Sequence, residues 1–367
     1  MSTTSRTGRS GWTSRSWSRR SQPCSRAAGR TDRFALSTSV VIVAFESGAA
    51  LARCLRSLRD SEPEAEVIVV DNAGSDRAVV ESFGVRLVEP GRNLGYAGGC
   101  NRGAAEASGD VLVFLNPDTV VDPGALNRLA DTLQDPSIGI AMARLRLLDR
   151  PELLNSGGTV LHVSGLAWAG RYGEPAETLR ELEDVAAPSG AAMGIRRDLF
   201  RELGGFTDEL FMYLEDTELG WRAHLSGLRV VVDPAADVYH DYEFGRNPAK
   251  VELLERNREI FVLTAYSLRL LLLLAPVLAA TELAMLAVAA KQRWLGGKLG
   301  GWWWCLSHAN WLVRHRWETQ RLRRMRDREL ARCLTPTLDP AMLQLPRFVD
   351  AANQLAGAYW RLARKAL

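Results

Sequence analysis

The most informative part of the chain reads Asn93-Leu94-Gly95-Tyr96-Ala97-Gly98-Gly99-Cys100-Asn101-Arg102-Gly103 and, after one short predicted strand, Asn116-Pro117-Asp118. Residues without a side chain let backbone amides come within hydrogen-bonding distance of a phosphate or a sugar. Mg²⁺ and Mn²⁺ prefer carboxylate oxygens, which Asp118 supplies. The two stretches therefore predict a glycine-rich loop that runs into a helix, beside a site for a nucleotide diphosphate and a divalent metal ion.

The segments before the glycine-rich stretch predict a sheet covered by helices. Ser39–Ala44 is a β-branched apolar run typical of a buried parallel strand. From Ala49 to Leu58 leucines recur at helical spacing, so this segment is expected to pack on the sheet as a helix. Glu66–Val70 predicts a second strand. The fold class expected is α/β with a mostly parallel sheet.

Acidic residues follow three of the predicted strands. Glu46 and Asp71 come after the first two strands, and Asp118 comes after the strand that follows the glycine-rich stretch. Ligands of open α/β sheets collect at the carboxyl ends of the strands. We therefore expect these three acids to converge on one crevice.

Residues from about 37 to 245 resemble a family 2 glycosyltransferase of the GT-A fold, in its rhamnosyltransferase-like branch. Four motifs carry the resemblance in sequence order: the first strand and its loop at 40–47, the second at 70–76, the glycine-rich stretch at 93–103, and Asn116-Pro117-Asp118. The last stands where the family carries an Asp-x-Asp metal motif. Asn116 replaces the first carboxylate, which leaves one carboxylate instead of two.

The resemblance implies a donor site and a metal site for Mg²⁺ or Mn²⁺. The implied donor nucleotide-binding residues are Phe45, Glu46, Asp71, Asn93, Gly95, Gly98, Gly99 and Asn101. The implied metal ligands are Asp118 and His240, the latter standing where related enzymes place a third metal ligand or a diphosphate contact.

Two later stretches, at 189–196 and 215–222, resemble the acceptor side of the same family. The implied acceptor-binding residues are Gly190, Ala191, Glu215 and Trp221. Asp216 stands in the family's Glu-Asp motif and is the implied general base, because a carboxylate placed against the acceptor hydroxyl can take its proton as the new bond forms.

Each of these residues also has a structural alternative. Asp71 can be a turn former and Asp76 a helix cap. Gly98 and Gly99 can be packing glycines. Acids at 215–218 can be favourable charges near the positive end of a helix, and a lone histidine such as His240 is often structural.

Composition indicates one sizeable catalytic domain with appendages, predicted at 37–250. The chain has 367 residues, of which 47% are hydrophobic, and its five cysteines show no paired spacing typical of a disulfide framework or a zinc site. Residues 1–36 contain eight arginines and one aspartate without an apolar run. This composition predicts a disordered basic leader and not a secretory signal.

The region predicted at 251–332 is expected to associate with a membrane, followed by a helical tail at 333–367. Residues 270–290 are predominantly apolar and contain one charged residue, Glu282. This segment is long enough to cross a bilayer. A basic, tryptophan-rich segment follows at 291–332, and basic segments tend to stay cytoplasmic. A re-entrant or interfacial helical pair broken near Pro276 is therefore favoured over a single span. A buried soluble helix or an oligomer interface is a third alternative.

The expected function is an inverting glycosyltransferase on the cytoplasmic face of the cell membrane, in cell-wall or surface-polysaccharide assembly. By resemblance, the donor favoured is dTDP-rhamnose and the acceptor a lipid-linked or polysaccharide glycan. No nucleic-acid partner is expected, because the basic segment contains no recognisable reading module and its tryptophans fit a lipid interface better.

Two other classes of protein stay open. A dinucleotide-dependent oxidoreductase would share the glycine-rich α/β front half, but Phe45-Glu46-Ser47-Gly48 follows the first strand where a G-x-G-x-x-G turn is needed. A catalytically silent membrane adaptor could keep the fold for interaction alone. An interaction-only protein has no chemical need for Asp71, Asp118 and Asp216 together.

Overall fold

β-branched residues at 40–43 form a buried interior strand of the sheet, as their pattern predicts. The computed structural model describes residues 36–241, 250–341 and 348–367, so the predicted leader lies almost entirely outside the described residues. The described strands are β1 Thr38–Ala44, β2 Glu66–Asp71, β3 Arg86–Val88, β4 Val111–Leu115, β5 Thr119–Val121, β6 Ile138–Leu147, β7 Leu154–Ser156, β8 Thr159–His162, β9 Ala167–Ala169, β10 Glu183–Asp184, β11 Ala192–Arg196, β12 Arg229–His240 and β13 Leu334–Thr335. The described helices are α1 Gly48–Ser61, α2 Arg77–Phe83, α3 Gly95–Glu106, α4 Ala125–Thr132, α5 Arg197–Glu202, α6 Glu215–Leu225, α7 Lys250–Ala265, α8 Leu268–Lys291, α9 Leu295–Ser307, α10 Ala309–Arg321, α11 Asp327–Leu330 and α12 Phe348–Ala363.

The main sheet has the order β10-β12-β6-β11-β4-β1-β2-β3, with β5 paired to β12 and β7 to β6. Strands β1 to β4 run parallel, so the carboxyl ends of β1, β2 and β4 lie at one edge, and Ala44 at the end of β1 is in register with Asp71. β11 is antiparallel to both of its neighbours. Its first residues therefore lie at the same edge as the end of β4. The α/β prediction is confirmed.

Most of the glycine-rich stretch is helix α3 and not a loop. Gly99 and Gly103 face β1, where an added Cβ at Gly99 would lie 2.8 Å from Val43 and one at Gly103 would lie 2.4 Å from Val41. Both distances are shorter than carbon contacts permit. These two glycines therefore allow α3 to pack more closely on the sheet than a helix with side chains at those positions.

The apolar segment forms a single helix, α8, which continues through Pro276. The predicted break near that proline is wrong. The missing amide of Pro276 leaves the carbonyl of exposed Leu272 without its helical donor. Before the proline, Leu270 and Leu274 are fully buried and Tyr359 donates a hydrogen bond to the Leu273 carbonyl, 2.5 Å away, so this part of α8 packs on the rest of the protein.

A buried ionic cluster joins α7, α8 and α9. The Lys298 ammonium lies 2.5–2.6 Å from carboxylate oxygens of Glu255, Glu259 and Glu282, and Arg258 pairs with Glu255 and Glu282. Buried charges are tolerated only when they are paired and hydrogen-bonded. The single acid of the apolar segment therefore faces the protein, and α8 lies along the body of the molecule.

Candidate active site

The loop after β1 is held in place by the carboxylate of Asp76. Its carboxylate accepts hydrogen bonds from the amides of Ser47 and Gly48 at 2.9 and 2.7 Å. Phe45 is 50% exposed and Glu46 is also exposed, with a left-handed φ of 53°. Both side chains are therefore available at the edge of the sheet where the strands end.

Asp71 is a buried turn former. It is 2% exposed, and its carboxylate accepts hydrogen bonds from the amides of Ala73, Gly74 and Asp76 at 2.8–3.2 Å. These contacts are those of a turn former, the alternative role of Asp71. Asp71 thus shapes the turn that presents Asp76 to the neighbouring loop.

The glycines predicted to contact the donor are buried in packing contacts. Gly95 has a φ of 72°, and a Cβ there would lie 2.3 Å from the carbonyl oxygen of Phe211. Gly98 and Gly99 are also buried, the latter against Val43. The expectation that these glycines expose their amides to a diphosphate is corrected: they allow close approach of neighbouring segments. Exposed Asn93, which lies two residues before the start of α3, instead accepts a hydrogen bond from the Gly95 amide at 2.8 Å.

Asn101 is likewise a structural residue. Its amide nitrogen donates to the Phe206 carbonyl and to Asp208, and its amide oxygen accepts from the Phe206 amide at 2.9 Å. These bonds occupy both the nitrogen and the oxygen of the side-chain amide. Its predicted role in donor binding is therefore not supported.

The two predicted metal ligands come together although 122 positions separate them in sequence. The end of β12 pairs with β5, which brings His240 opposite Thr119. The Nε2 atom of His240 lies 3.3 Å from Oδ1 of Asp118, and its Nδ1 atom lies 3.1 Å from the side-chain oxygen of Asn155. Asn116, at the end of β4, lies 3.4 Å from the same Nε2 atom. The side chains of Asp118, His240 and Asn116 thus lie together at this edge of the sheet and form the Asp118 corner.

Asp216 is fixed on both carboxylate oxygens. The Gly190 amide donates to Oδ2 at 2.8 Å, and the amide of Thr217 donates to Oδ1 at 2.6 Å. Burial raises the pKa of Asp216 above its ordinary value, although these hydrogen bonds oppose the shift. A partly buried carboxylate of raised basicity is suited to accept a proton.

Glu215, beside it, is more deeply buried. It is 5% exposed, and its Oε2 atom has no hydrogen-bond partner among the residues that the structure describes. Burial and then the neighbouring Asp216 carboxylate hold the pKa of Glu215 well above the usual range. A protonated Glu215 leaves the negative charge of the pair on Asp216.

Gly190 connects the predicted acceptor segment to α3. Its carbonyl oxygen accepts a hydrogen bond from the Tyr96 hydroxyl at 2.6 Å, while its amide donates to Asp216. The carbonyl of the next residue, Ala191, accepts a hydrogen bond from the backbone amide of Asn116 at 3.0 Å. The segment at 190–191 therefore bridges the corner with Asp118 and the carboxylate of Asp216.

Trp221 does not reach this edge. It is fully buried, its ring packs on Phe261 and Tyr266, and its indole nitrogen donates to the Ala265 carbonyl at 3.0 Å. The prediction that it contacts the acceptor is wrong, because the face of α6 that carries it packs on α7.

Several residues that support the site were passed over in the sequence. They are Asn72, which donates to the Gly95 carbonyl, and Asp76, Tyr96, Asn155 and Asn257. Their hydrogen-bond partners are between 23 and 94 positions away in sequence. No local pattern signals such pairings, although Asn72 and Asp76 follow a predicted strand end.

Residues 39–204 match the model of glycosyl transferase family 2. The N-acetylglucosaminyl-diphospho-decaprenol L-rhamnosyltransferase of Mycobacterium tuberculosis is 31% identical over 246 residues, covering 57% of this chain and 78% of the relative. The chain belongs to glycosyl transferase family 2. This glycosyltransferase is also similar to an O-antigen biosynthesis protein of Myxococcus xanthus, with 30% identity over 51% of this chain and 16% of that protein.

The fold of the glycosyltransferase agrees with a solved relative. GalNAc-T7, crystallised with UDP, GalNAc and Mn²⁺, superposes with a TM-score of 0.52 at 21% identity, covering 62% of this chain and 48% of that chain. At this identity the likeness concerns the GT-A fold alone. Family and fold together confirm the predicted enzyme class and exclude the oxidoreductase.

Replacing Glu215 by glutamine tests the protonated state of this side chain. Because the folded protein holds the Glu215 proton more tightly than the unfolded chain, this residue's contribution to stability is present at low pH and is lost as the pH rises through its raised pKa. Glu215→Gln keeps the shape of the neutral acid and has no such proton to lose. We expect the melting temperature of the variant to rise relative to that of wild type as the pH increases from about 4, the usual pKa of a glutamate, to about 9, by about 2–4 °C for each kcal/mol of stability that the wild type loses.

Thermal unfolding followed by circular dichroism across this pH range makes the measurement. The exposed acid Glu202 on α5, changed to glutamine, is the control and should leave the pH dependence unchanged. A Glu215→Gln variant whose difference from wild type does not grow with pH would show that Glu215 is ionised in the folded protein.

Proposed function

We propose that the protein transfers a sugar, with inversion, from a nucleotide-diphosphate donor to a lipid-linked glycan acceptor in cell-wall or surface-polysaccharide assembly. The observation that carries the proposal is the pair of groups at one sheet edge. Asp216 is held by Gly190, and Asp118 faces His240, with Ala191 hydrogen-bonded to Asn116 between them. An inverting transfer needs a base for the acceptor and a site for the diphosphate within reach of one another.

In this proposal Asp216 takes the proton of the acceptor hydroxyl. The freed oxygen forms a bond to the anomeric carbon as the bond from that carbon to the diphosphate oxygen breaks on the opposite face. The electron pair of the broken bond leaves with the nucleotide diphosphate. The hydrogen bonds from Gly190 and Thr217 orient the carboxylate, and burial keeps it more basic than an exposed aspartate.

The side chains at the Asp118 corner fit a divalent cation. Neighbouring ligand atoms of an octahedral ion such as Mg²⁺ lie about 3 Å apart, and Oδ1 of Asp118 is 3.3 Å from Nε2 of His240. One imidazole with one carboxylate suits Mn²⁺ better than Mg²⁺, which favours all-oxygen sites. Asn155, on the other ring nitrogen, would fix the orientation of the histidine. A bound ion would neutralise charge on the departing diphosphate.

The nucleotide and sugar of the donor are inferred from relatives. The mycobacterial protein that is 31% identical is named as an L-rhamnosyltransferase acting on N-acetylglucosaminyl-diphospho-decaprenol. On that basis dTDP-rhamnose is the favoured donor and a prenyl-diphosphate glycan the favoured acceptor. Exposed Phe45 and Glu46 at the end of β1 are placed to contact the nucleotide.

The proposed location is the cytoplasmic surface of the membrane. Of the described residues, one helix, α8, is long and apolar enough to cross a bilayer, with a mean hydropathy of 2.2 in its most apolar window. One of its faces packs on the body through Leu270, Leu274 and Glu282, whereas Leu272 and Leu283 on the opposite side are 77% and 69% exposed. A helix bound along one face and apolar on the other is suited to lie in the lipid interface.

A donor screen tests the proposed function directly. The purified protein is titrated by calorimetry with dTDP-rhamnose, UDP-sugars and GDP-sugars, each with and without Mn²⁺. Metal-dependent binding of one nucleotide sugar, and its transfer to a synthetic N-acetylglucosaminyl-diphospho-prenol, is the expected result. Binding of none of them would favour the silent adaptor.

Asp216→Asn is expected to abolish transfer while donor binding stays nearly intact. The substitution removes the base and keeps the size of the side chain, so the loss should be on the order of 100-fold to 10,000-fold in kcat. Turnover and the dissociation constant of the donor are measured on the same preparation. Asp198→Asn, at a position whose side chain is 84% exposed, is the matched control. Loss of donor binding in Asp216→Asn would overturn the assigned role.

Asp118→Ala is expected to weaken metal-dependent donor binding, and Asn155→Leu to do so more mildly. Loss of a residue that orients a histidine ligand typically costs about 10-fold to 100-fold in metal affinity. Mn²⁺ titration followed by electron paramagnetic resonance reports the affinity without turnover. Asp149→Ala, at a position whose side chain is 74% exposed, is the control. An unchanged titration for Asp118→Ala would remove this residue from the metal site.

The double variant Leu272→Glu with Leu283→Glu is expected to lose binding to vesicles of phosphatidylglycerol and phosphatidylethanolamine. Burying one leucine in lipid is worth about 1.5–3 kcal/mol, so the bound fraction should fall at least about tenfold. Flotation of the vesicles measures it. Leu182→Glu, at a 39% exposed position beside β10, is the control. Wild-type protein that stays bound in alkaline carbonate would indicate a spanning helix instead.

A further inference from the structure

The segment between Leu210 and α6 has an unfavourable backbone. Phe211, Tyr213 and Leu214 have φ values of 62°, 72° and 65°, a region that side chains with a Cβ rarely adopt. Phe211, with a ψ of −62°, forms a γ-turn in which the Met212 amide donates to the Leu210 carbonyl at 2.6 Å. Such conformations persist only where the surroundings impose them, and they concentrate at functional sites.

One side chain of α7 holds this segment. The amide nitrogen of Asn257 donates to the carbonyl oxygens of Leu210, Met212 and Tyr213, which lie 2.8, 2.9 and 2.8 Å away. Asn257 itself is fully buried. Two amide hydrogens thus serve three carbonyls that converge in the left-handed segment.

Arg256 fixes the orientation of that amide. Its guanidinium donates to the side-chain oxygen of Asn257 at 2.8 and 3.0 Å, and it also donates to the carbonyls of Glu209 and Leu210. With its oxygen facing these donors, Asn257 must turn its nitrogen toward the strained segment. The pair acts as one unit.

The opposite side of the segment rests on α3. The Ala97 amide donates to the Phe211 carbonyl at 3.1 Å, and the missing side chain of Gly95 leaves room for Phe211. The segment is thus clamped between α3 and α7. It ends at Leu214, directly before Glu215 and Asp216 at the start of α6.

We infer that Asn257 is a positioning residue for the carboxylate of Asp216, an inference that rests on the proposed role of Asp216 as the base. α6 begins where the clamped segment ends, so a change in the peptide planes at Tyr213 and Leu214 would turn its first residues. The carboxylate would then move away from the Gly190 amide that orients it. A displacement of about 1 Å of a catalytic group can cost on the order of 100-fold in rate.

Asn257→Asp is the sharpest test, because it keeps the shape of the side chain and replaces the donating nitrogen by an oxygen. We expect kcat for dTDP-rhamnose with Mn²⁺ and N-acetylglucosaminyl-diphospho-prenol to fall on the order of 100-fold. The dissociation constant of the donor should change less than about twofold, since no group of the metal corner is touched. Amide hydrogen exchange should rise at 211–217 and at Ala97.

Asn353→Asp is the matched control. This asparagine also holds a backbone segment, bonding the amide and the carbonyl of Leu338 at 2.8 and 2.9 Å, but it lies on α12. The Asn353→Asp variant should leave kcat unchanged. If Asn257→Asp does not fold, Gly95→Ala disturbs the same segment from the side of α3, because its Cβ would meet the Phe211 carbonyl, and the same loss of kcat is expected.

The inference is overturned if kcat stays unchanged in the Asn257 variant. It is also overturned if donor binding falls in parallel with kcat, or if exchange rises evenly over the whole protein, since either result indicates a general structural role. A wild-type protein that transfers no sugar would refute the proposed function instead. The exchange pattern at 211–217 would still show whether Asn257 holds the segment.

Discussion

The close packing of α3 on β1 is the constraint on which the rest of the site depends. Gly99 and Gly103 let this helix approach the sheet, and only at that distance does its first turn meet the segments that carry the chemistry. Tyr96 then reaches the Gly190 carbonyl, and Gly95 receives Phe211. A larger residue in the helix would move all of these contacts outward together.

The C-terminal helices contribute to the same site from the other side. On α7, Asn257 holds the strained segment before α6, while the adjacent Arg258 and the acids around it join the ionic cluster with Lys298. Asn257, which contacts the segment before α6, and Arg258, which pairs with Glu282 on the apolar helix α8, therefore lie in one turn of the same helix. Helix α7 therefore contacts both the segment that leads to the proposed base and the helix proposed to lie on the membrane.

Part of the site was predictable because its signals are local. A β-branched run indicates a buried strand, parallel strands end at one edge, and acids after those strands must share it, and the structure places Asp118 at that edge. The roles of Gly98, Asn101 and Trp221 were not predictable in this way. Each has the residue type expected of a binding site, but its hydrogen bonds or its surface are used by partners far away in sequence.

The sequence by itself determined the α/β class and the order of the motifs, because these depend on residue type and on spacing along the chain, and the family resemblance added Asp216 as the candidate base. Only the tertiary structure decided which polar groups remain available to a substrate. Asp71 is buried and uses its carboxylate within a turn, whereas Asp216 is held by amides from two segments and is itself only partly buried. A side chain's hydrogen-bonding capacity is consumed by whatever packs against it, and this is a property of the fold that no local stretch of sequence contains.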